Sequence, residues 1–152
     1  MLTGPLRKLD LGIIPSPSGA GALVLHGEEE ADCLVVFRGF SPADRTNPVA
    51  LATFSGCRQS VFGYPNDEAY WGVPGAGYGF YEVLDSDWSD RLTQFNRLRF
   101  PGTRHDRESR HYFMGCHDAS GQFLARDLSV EALSGRFDSA LDEALRRYLR
   151  HE

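Results

Sequence analysis

The sequence contains very little lysine and cysteine, and it has no long apolar run. Lysine occurs once, at Lys8, whereas the rest of the 16 basic side chains are arginine. The three cysteines show no Cys-x-x-Cys spacing, which argues against a zinc ribbon, a thioredoxin-type motif or a disulfide framework. The longest apolar run, 33–37, is far shorter than the roughly 20 residues of a membrane helix, and residues 1–15 lack a signal-peptide core. We therefore expect a protein of the reducing cytoplasm without a membrane partner.

The remaining composition is that of a globular domain. Of the 152 residues, 41% are hydrophobic and 24% are charged, and the net charge is 16 − 21 = −5. These values exclude collagen-like, coiled-coil and disordered classes, and the length suits a single domain over 1–152. The mildly acidic balance argues against nucleic-acid binding. The strong preference for arginine over lysine is typical of GC-rich codons and predicts a bacterial source.

Short apolar or alternating runs bounded by turn residues predict a chain rich in β-strands. The strands are expected at 22–26, 33–37, 49–54, 57–62, 79–84, 110–117 and 122–127. The segment 41–48, with its two prolines, is expected to be a loop. Asp118 to Gly121 has the residue pattern of a type I turn ending in a left-handed glycine.

Two segments have helical spacing of their apolar residues. Trp88, Leu92 and Phe95 predict an amphipathic helix over about 87–97. The second helix, about 136–150, has one apolar face made by Phe137, Leu141, Leu145 and Tyr148. These elements together predict a single α+β domain with a mainly antiparallel sheet, a mid-chain helix and a C-terminal helix.

The most unusual segment is the long loop over 63–81, which is rich in both aromatic rings and breakers. Residues 62–81 hold seven of the chain's 18 aromatic residues, namely Phe62, Tyr64, Tyr70, Trp71, Tyr78, Phe80 and Tyr81. A long loop of this kind is often functional. We therefore predict ligand contacts from Tyr64, Asn66, Tyr70, Trp71 and Tyr78. The alternative is that the rings only pin the loop onto the core.

Two neighbouring carboxylates within this loop, Asp67 and Glu68, are candidates for acid–base catalysis. The alternative role of Asp67 is to cap a short helical turn. The partner that we predict for these carboxylates is His117, because it lies at a strand end near the predicted hairpin and histidine is a common acid–base group. A purely structural histidine is the other interpretation.

The three histidines at 105, 111 and 117 lie near Cys116 and Asp118, which suggests a metal site. On one regular strand, His111 and His117 would lie roughly 20 Å apart, so they cannot share an ion. No His-Glu-x-x-His motif is present. We therefore predict no metal site and no cofactor.

A stretch rich in arginine lies between the mid-chain helix and the following strand. It contains five arginines and two acidic residues between 97 and 110, a local charge of 5 − 2 = +3. Such a patch could hold an anion, and we include Arg110 among the predicted ligand contacts. The alternative is a solvated linker whose charges do not converge.

The cysteines do not predict catalysis. Cys33 lies in an apolar run and is expected to be an inert core residue. Cys57 is expected in an exposed turn. Cys116 neighbours His117, but adjacent strand residues point to opposite faces and cannot form a nucleophile–base pair.

Several short motifs together resemble an uncharacterised bacterial protein family. They are Gly63-Tyr64-Pro65-Asn66-Asp67-Glu68-Ala69, Tyr81-Glu82-Val83-Leu84 before the Trp-bearing helix, and His111-Tyr112-Phe113 leading to His117-Asp118. The resemblance covers about 59–126. The family has Gly-His-Pro and Phe where this chain has Gly72-Val73-Pro74 and Cys116. The resemblance implies no known activity, but it draws attention to the 63–81 loop and the His117 turn together.

Three functional hypotheses follow from these features. The first is a non-catalytic domain that binds a small molecule or a protein partner through the 63–81 loop, with a homodimer left open. The second is a small enzyme, such as a hydrolase, that uses Asp67 or Glu68 with His117. The third is an anion or nucleic-acid binder that uses the arginine stretch, 97–110. No sequence motif characteristic of one enzyme class is present, which favours the first hypothesis.

Overall fold

The fold is a sandwich of two antiparallel sheets with one helix on each outer side. The computed structural model describes residues 4–19, 21–28, 31–65, 77–102 and 108–150. The first sheet has the strand order β1-β7-β8-β9-β6. Its strands are β1 (Leu6–Leu9), β6 (Gln59–Gly63), β7 (Gly79–Val83), β8 (Arg110–Gly115) and β9 (Ser120–Ala125).

The second sheet has the order β10-β5-β4, and both β2 and β3 pair with the remaining edge of β4. Its strands are β2 (Ile14–Pro15), β3 (Ala22–Leu25), β4 (Cys33–Phe40), β5 (Val49–Ser55) and β10 (Asp127–Leu133). The helices are α1 (Trp88–Arg99) and α2 (Phe137–Leu149). The predicted single α+β domain with antiparallel pairing and these two helices is confirmed. None of the helices in the described ranges is long and apolar enough to cross a membrane.

The main core lies between the two sheets and follows the alternation of the strands. Every second residue of β4, β5, β8 and β9 points inward and is fully or almost fully buried. These residues are Cys33, Val35, Phe37, Ala50, Ala52, Phe54, Tyr112, Met114, Phe123 and Ala125. The rings of Phe54 and Phe123 stack across the sandwich with centroids 3.8 Å apart. This contact joins β5 of one sheet to β9 of the other.

The C-terminal helix covers the outer face of the second sheet. Ala140 and Ala144 are almost completely buried there against Leu34, Val36 and Leu51. Small side chains let the helix approach the sheet closely, so the buried stripe is centred on the two alanines. The prediction that Leu145 belongs to the buried face of this helix was therefore wrong, because its side chain is 45% exposed.

The mid-chain helix contacts the outer face of the first sheet through its first turns. Trp88 is buried, and its ring meets the ring of His111 edge-on at 4.8 Å. Arg58 reaches the same helix and donates to Ser89 and to Thr93. The prediction that Phe95 packs inward was wrong, because Thr93 faces the sheet and Phe95 is 69% exposed.

The hairpin between β8 and β9 turns at His117 and Asp118. The backbone N–H of Cys116 donates to the carbonyl of Ala119 at 2.9 Å, which closes a two-residue loop. The predicted turn over 118–121 was therefore shifted by two residues. Gly121 lies instead within β9, where a Cβ atom would come within 2.7 Å of the rings of Phe62 and Phe123.

Three strands were missed by the sequence analysis. β1 and β2 are short edge strands, whose few residues show little alternation. β10 begins after a single break at Arg126, where the chain passes from one sheet to the other. A change of sheet without a turn leaves little local signal in the sequence.

His111 is a buried histidine with both ring nitrogens hydrogen-bonded. Its Nε2 lies 2.7 Å from the amide oxygen of Gln122, which can only accept, so Nε2 carries the proton. The Ser86 hydroxyl then donates to Nδ1 at 2.6 Å. Burial lowers the pKa of His111 to about 4. The ring is therefore neutral in the folded protein at neutral pH.

This network predicts a specific loss of stability in mild acid. Between pH 6.5 and 4 the unfolded chain binds a proton that folded His111 rejects, so stability falls as the pH falls. From about pH 7 to about pH 5, this group should lower the free energy of unfolding by about 2 kcal/mol. Urea titrations of the native chain and of His111→Gln measure the effect. Glutamine keeps an N–H donor but does not titrate, so an equal pH dependence in both proteins would contradict the prediction.

Candidate functional site

The described residues form a small cavity at one end of the sandwich, where the β8–β9 turn faces β3 and β4. Its volume is about 130 Å³. The floor is apolar and includes Phe37, Phe62 and Ala119, whereas Arg38, His117 and Asp118 supply polar groups. Ligand sites commonly combine an apolar wall with a few polar groups and lie at the mouths of β-structures.

His117 is the polar group at this end that connects the cavity to the 63–81 loop. Its Nδ1 lies 3.2 Å from the hydroxyl of Tyr78, and its Nε2 lies 4.0 Å from a carboxylate oxygen of Asp118. The His117 side chain is 39% exposed. The ring is therefore oriented by protein contacts and still accessible to a ligand.

Both described ends of the 63–81 loop are attached to the first sheet near this turn. The Ser120 hydroxyl donates to the carbonyl of Pro65 at 2.6 Å, and the N–H of Gly77 donates to the hydroxyl of Tyr81 at 3.0 Å. Tyr64, one of the predicted ligand contacts, is 87% exposed. The described ends of the loop therefore lie near the His117 turn, with which the sequence motifs had associated the loop.

Several predicted site residues lie outside the described residues. They are Asn66, Asp67, Glu68, Tyr70 and Trp71. Of the predicted contacts that the structure describes, Tyr78 and His117 come together, while Tyr64 lies at the start of the loop. The pairing of His117 with Asp67 or Glu68 stays a prediction.

Arg110 belongs to a different part of the molecule. It lies at the start of β8, whereas His117 follows the end of that strand. Its guanidinium makes a two-point contact with the carboxylate of Glu82, at 2.6 and 3.0 Å. Arg7 bonds to the same carboxylate, and the two guanidinium groups hold the pKa of Glu82 below its usual range. The structure thus gives Arg110 an internal partner and places it away from the cavity.

The structure describes only part of the remaining arginine stretch. Arg97 and Arg99 are exposed in the last turn of α1, and Arg104 and Arg107 lie outside the described residues. An anion site built from this stretch stays a prediction.

A second cluster was missed by the sequence analysis. His26, Cys33 and Cys57 offer a ring nitrogen and two sulfur atoms that all lie within 4.8 Å of one another. Both cysteines are completely buried, so the expectation that Cys57 is exposed was wrong. The reason is that Cys57 lies where the chain passes from β5 to β6, beneath the β3–β4 connection. No local spacing could reveal this cluster, because its members come from three separate elements.

The three side chains of this cluster shift one another's pKa. The contact with Cys33, together with His26, lowers the pKa of the Cys57 thiol to about 6. The same contacts raise the pKa of Cys33 and of His26. Cys116 lies elsewhere, in the cavity wall, and burial alone raises its pKa to about 12. The thiol environments therefore differ sharply within one chain.

Comparison of the chain with protein-family models, with curated proteins and with solved structures gives no match.

The buried bond from Ser120 to Pro65 predicts a measurable contribution to stability. Ser120→Ala removes the donor and leaves a buried carbonyl without this bond, which costs about 1–3 kcal/mol. Chemical denaturation measures the change in the free energy of unfolding. Ser129→Ala is the matched control, because Ser129 is exposed on a strand of the other sheet. Equal stability of the two variants would show that the bond does not hold the loop.

Proposed function

We propose that this protein is a small-molecule-binding domain whose site is the cavity beside the His117 turn. The observation that carries the proposal is the combination of an apolar floor with an oriented, accessible imidazole at one mouth of the sandwich. The attachment of both described loop ends beside this mouth supports a role for the 63–81 loop at the same site.

The dimensions of the cavity limit the ligand. An apolar protein cavity of about 150 Å³ holds one benzene-sized molecule, so a volume of this order suits a single small ring. The side chains of Phe37 and Phe62 in the lining favour an apolar or aromatic body. The polar side chains of His117, Arg38 and Asp118 in the lining favour a hydroxyl or similar polar group on the ligand. The ligand class that fits is a small aromatic ring with one polar substituent.

The cellular setting that we propose is a reducing cytoplasm. All three cysteines are free thiols, and buried free thiols are typical of that compartment. The bacterial source and the family resemblance are likewise proposals, which rest on the sequence alone.

Binding of phenol tests the proposal directly. We expect saturable shifts in the amide NMR signals of His117 and Ala119, because phenol has the size and the polar group that the cavity requires. Ala119→Leu should weaken binding at least about tenfold, since the larger side chain fills the cavity. The matched control is Ala132→Leu, which adds the same group at an exposed position of β10 and should leave binding unchanged.

Two outcomes would contradict the proposal. One is the absence of saturable shifts on addition of phenol, and the other is equal affinity of the two leucine variants for phenol. The enzyme hypothesis makes a separate claim about the same histidine, namely that it acts as an acid–base group, and the contact between its Nδ1 and the Tyr78 hydroxyl at 3.2 Å supports this second candidate. If the native chain hydrolyses p-nitrophenyl acetate and His117→Ala does not, a catalytic site replaces a purely binding one.

A further inference from the structure

The cluster of His26, Cys33 and Cys57 lies at the opposite end of β4 from the cavity. Cys33 begins β4, and Phe37, which lines the cavity, follows roughly 13 Å further along at about 3.3 Å per residue. His26 directly follows β3, and Cys57 lies between β5 and β6. The cluster is therefore separate from the proposed ligand site, and the two can be tested independently.

The donor set suits a borderline-soft metal ion. Thiolate sulfur and imidazole nitrogen are the ligands that Zn²⁺ and Cu⁺ prefer in proteins. In tetrahedral zinc sites, bonds of about 2.3 Å to sulfur and 2.0 Å to nitrogen place the donor atoms roughly 3.5–3.8 Å apart. The three donors here all lie within 4.8 Å of one another. Small rotations of the side chains would bring them to bonding distance.

The backbone around the cluster holds the ligands in place. The N–H of Cys57 donates to the carbonyl of Ala31 at 3.0 Å, and the N–H of Gly56 donates to the carboxylate of Asp32 at 3.1 Å. These bonds fix the position of Cys57 against the connection that carries Cys33. A site held in this way needs little reorganisation on binding.

The imidazole also has the second contact that metal-binding histidines use. The Nε2 atom of His26 lies 3.2 Å from the carbonyl oxygen of Cys57, which can only accept, so Nε2 carries the proton. The Ser60 hydroxyl then donates to Nδ1 at 2.7 Å. Because Nε2–H is held by a backbone carbonyl, as in many protein zinc sites, Nδ1 is the ligand atom once the Ser60 hydroxyl rotates away from it.

The net charge of the occupied site favours Zn²⁺ over Cu⁺. Both cysteines are completely buried, so two thiolates would be costly without compensation. A Zn²⁺ ion neutralises them fully, whereas Cu⁺ leaves one net negative charge in the interior. Among the residues that the structure describes, no other metal-ligating group joins these three donors, so a water molecule would be the fourth ligand of a tetrahedral ion. We propose that His26, Cys33 and Cys57 bind one Zn²⁺ ion.

Cobalt(II) provides a spectroscopic probe of this site. We expect the reduced, metal-free chain to bind one Co²⁺ per molecule, with sulfur-to-cobalt charge transfer in the near ultraviolet and visible bands of tetrahedral geometry. Zn²⁺ should displace Co²⁺ and raise the Tm, because an ion that binds only the folded state stabilises it.

Substitutions of the cluster residues test whether these side chains are the metal ligands, and a substitution of Cys116 tests whether any buried thiol would serve. Cys33→Ser and Cys57→Ser should each lose the charge-transfer band, and His26→Gln should weaken binding by more than about tenfold. Cys116→Ser is the matched control, because it removes a buried cysteine outside the cluster and should bind as the native chain does.

Three results would overturn the proposal. One is the absence of Co²⁺ and Zn²⁺ binding by the reduced native chain, a measurement that requires no variant to fold. Another is equal loss of binding in Cys116→Ser and Cys57→Ser. The last is the formation of a Cys33–Cys57 disulfide in air by a chain that binds neither ion when reduced, which would assign the pair to redox chemistry instead.

Discussion

The structure depends on one corner where the chain passes between the two sheets twice. The connection from β5 to β6 and the connection from β9 to β10 cross there side by side. Backbone bonds join them, from Arg126 to Ser55 at 2.8 Å and from Arg58 to Leu124 at 2.7 Å. Gly56 makes the crossing with a φ of 57°, and a Cβ atom there would meet the guanidinium of Arg126. Because both crossings are fixed, the two sheets face each other in one register and can share a core.

This corner also explains how residues distant in sequence come together. Cys57 immediately follows Gly56, so the crossing turns its sulfur into the interior beside Cys33 and His26. Arg58, one residue further, reaches outward to α1 and fixes that helix on the first sheet. Further along β4, a cavity remains between Phe37 and the His117 turn. The two candidate sites are thus consequences of the same pairing of strands, and neither requires the other.

The sequence predicted those features that depend on local periodicity. The bounds 136–150 for the C-terminal helix agree with Phe137–Leu149, and the strands at 33–37 and 49–54 were correct though short. Prediction from the sequence was wrong where contacts between residues distant in the chain determine the structure. Leu145 is exposed because two alanines let α2 approach the sheet closely. The β8–β9 turn lies two residues before its predicted position, and Gly121 lies within β9, where the rings of Phe62 and Phe123 pack around it. The cysteine–histidine cluster depends on pairing between strands, which no spacing along the chain encodes.

Three histidines of this chain show how environment determines the role of a residue type. His111 has a hydrogen-bond partner at each ring nitrogen and a buried ring, so its pKa is about 4 and it acts as a neutral structural group. His26 meets the Ser60 hydroxyl at Nδ1 and the Cys57 carbonyl at Nε2, has two sulfur atoms near its ring, and the contact with Cys57 raises its pKa. His117 is partly exposed in a turn, where a tyrosine hydroxyl orients it toward solvent at the cavity. An accessible face is required for a ligand, and sulfur neighbours are required for a soft metal. His117 meets the first requirement and His26 meets the second, whereas His111 meets neither.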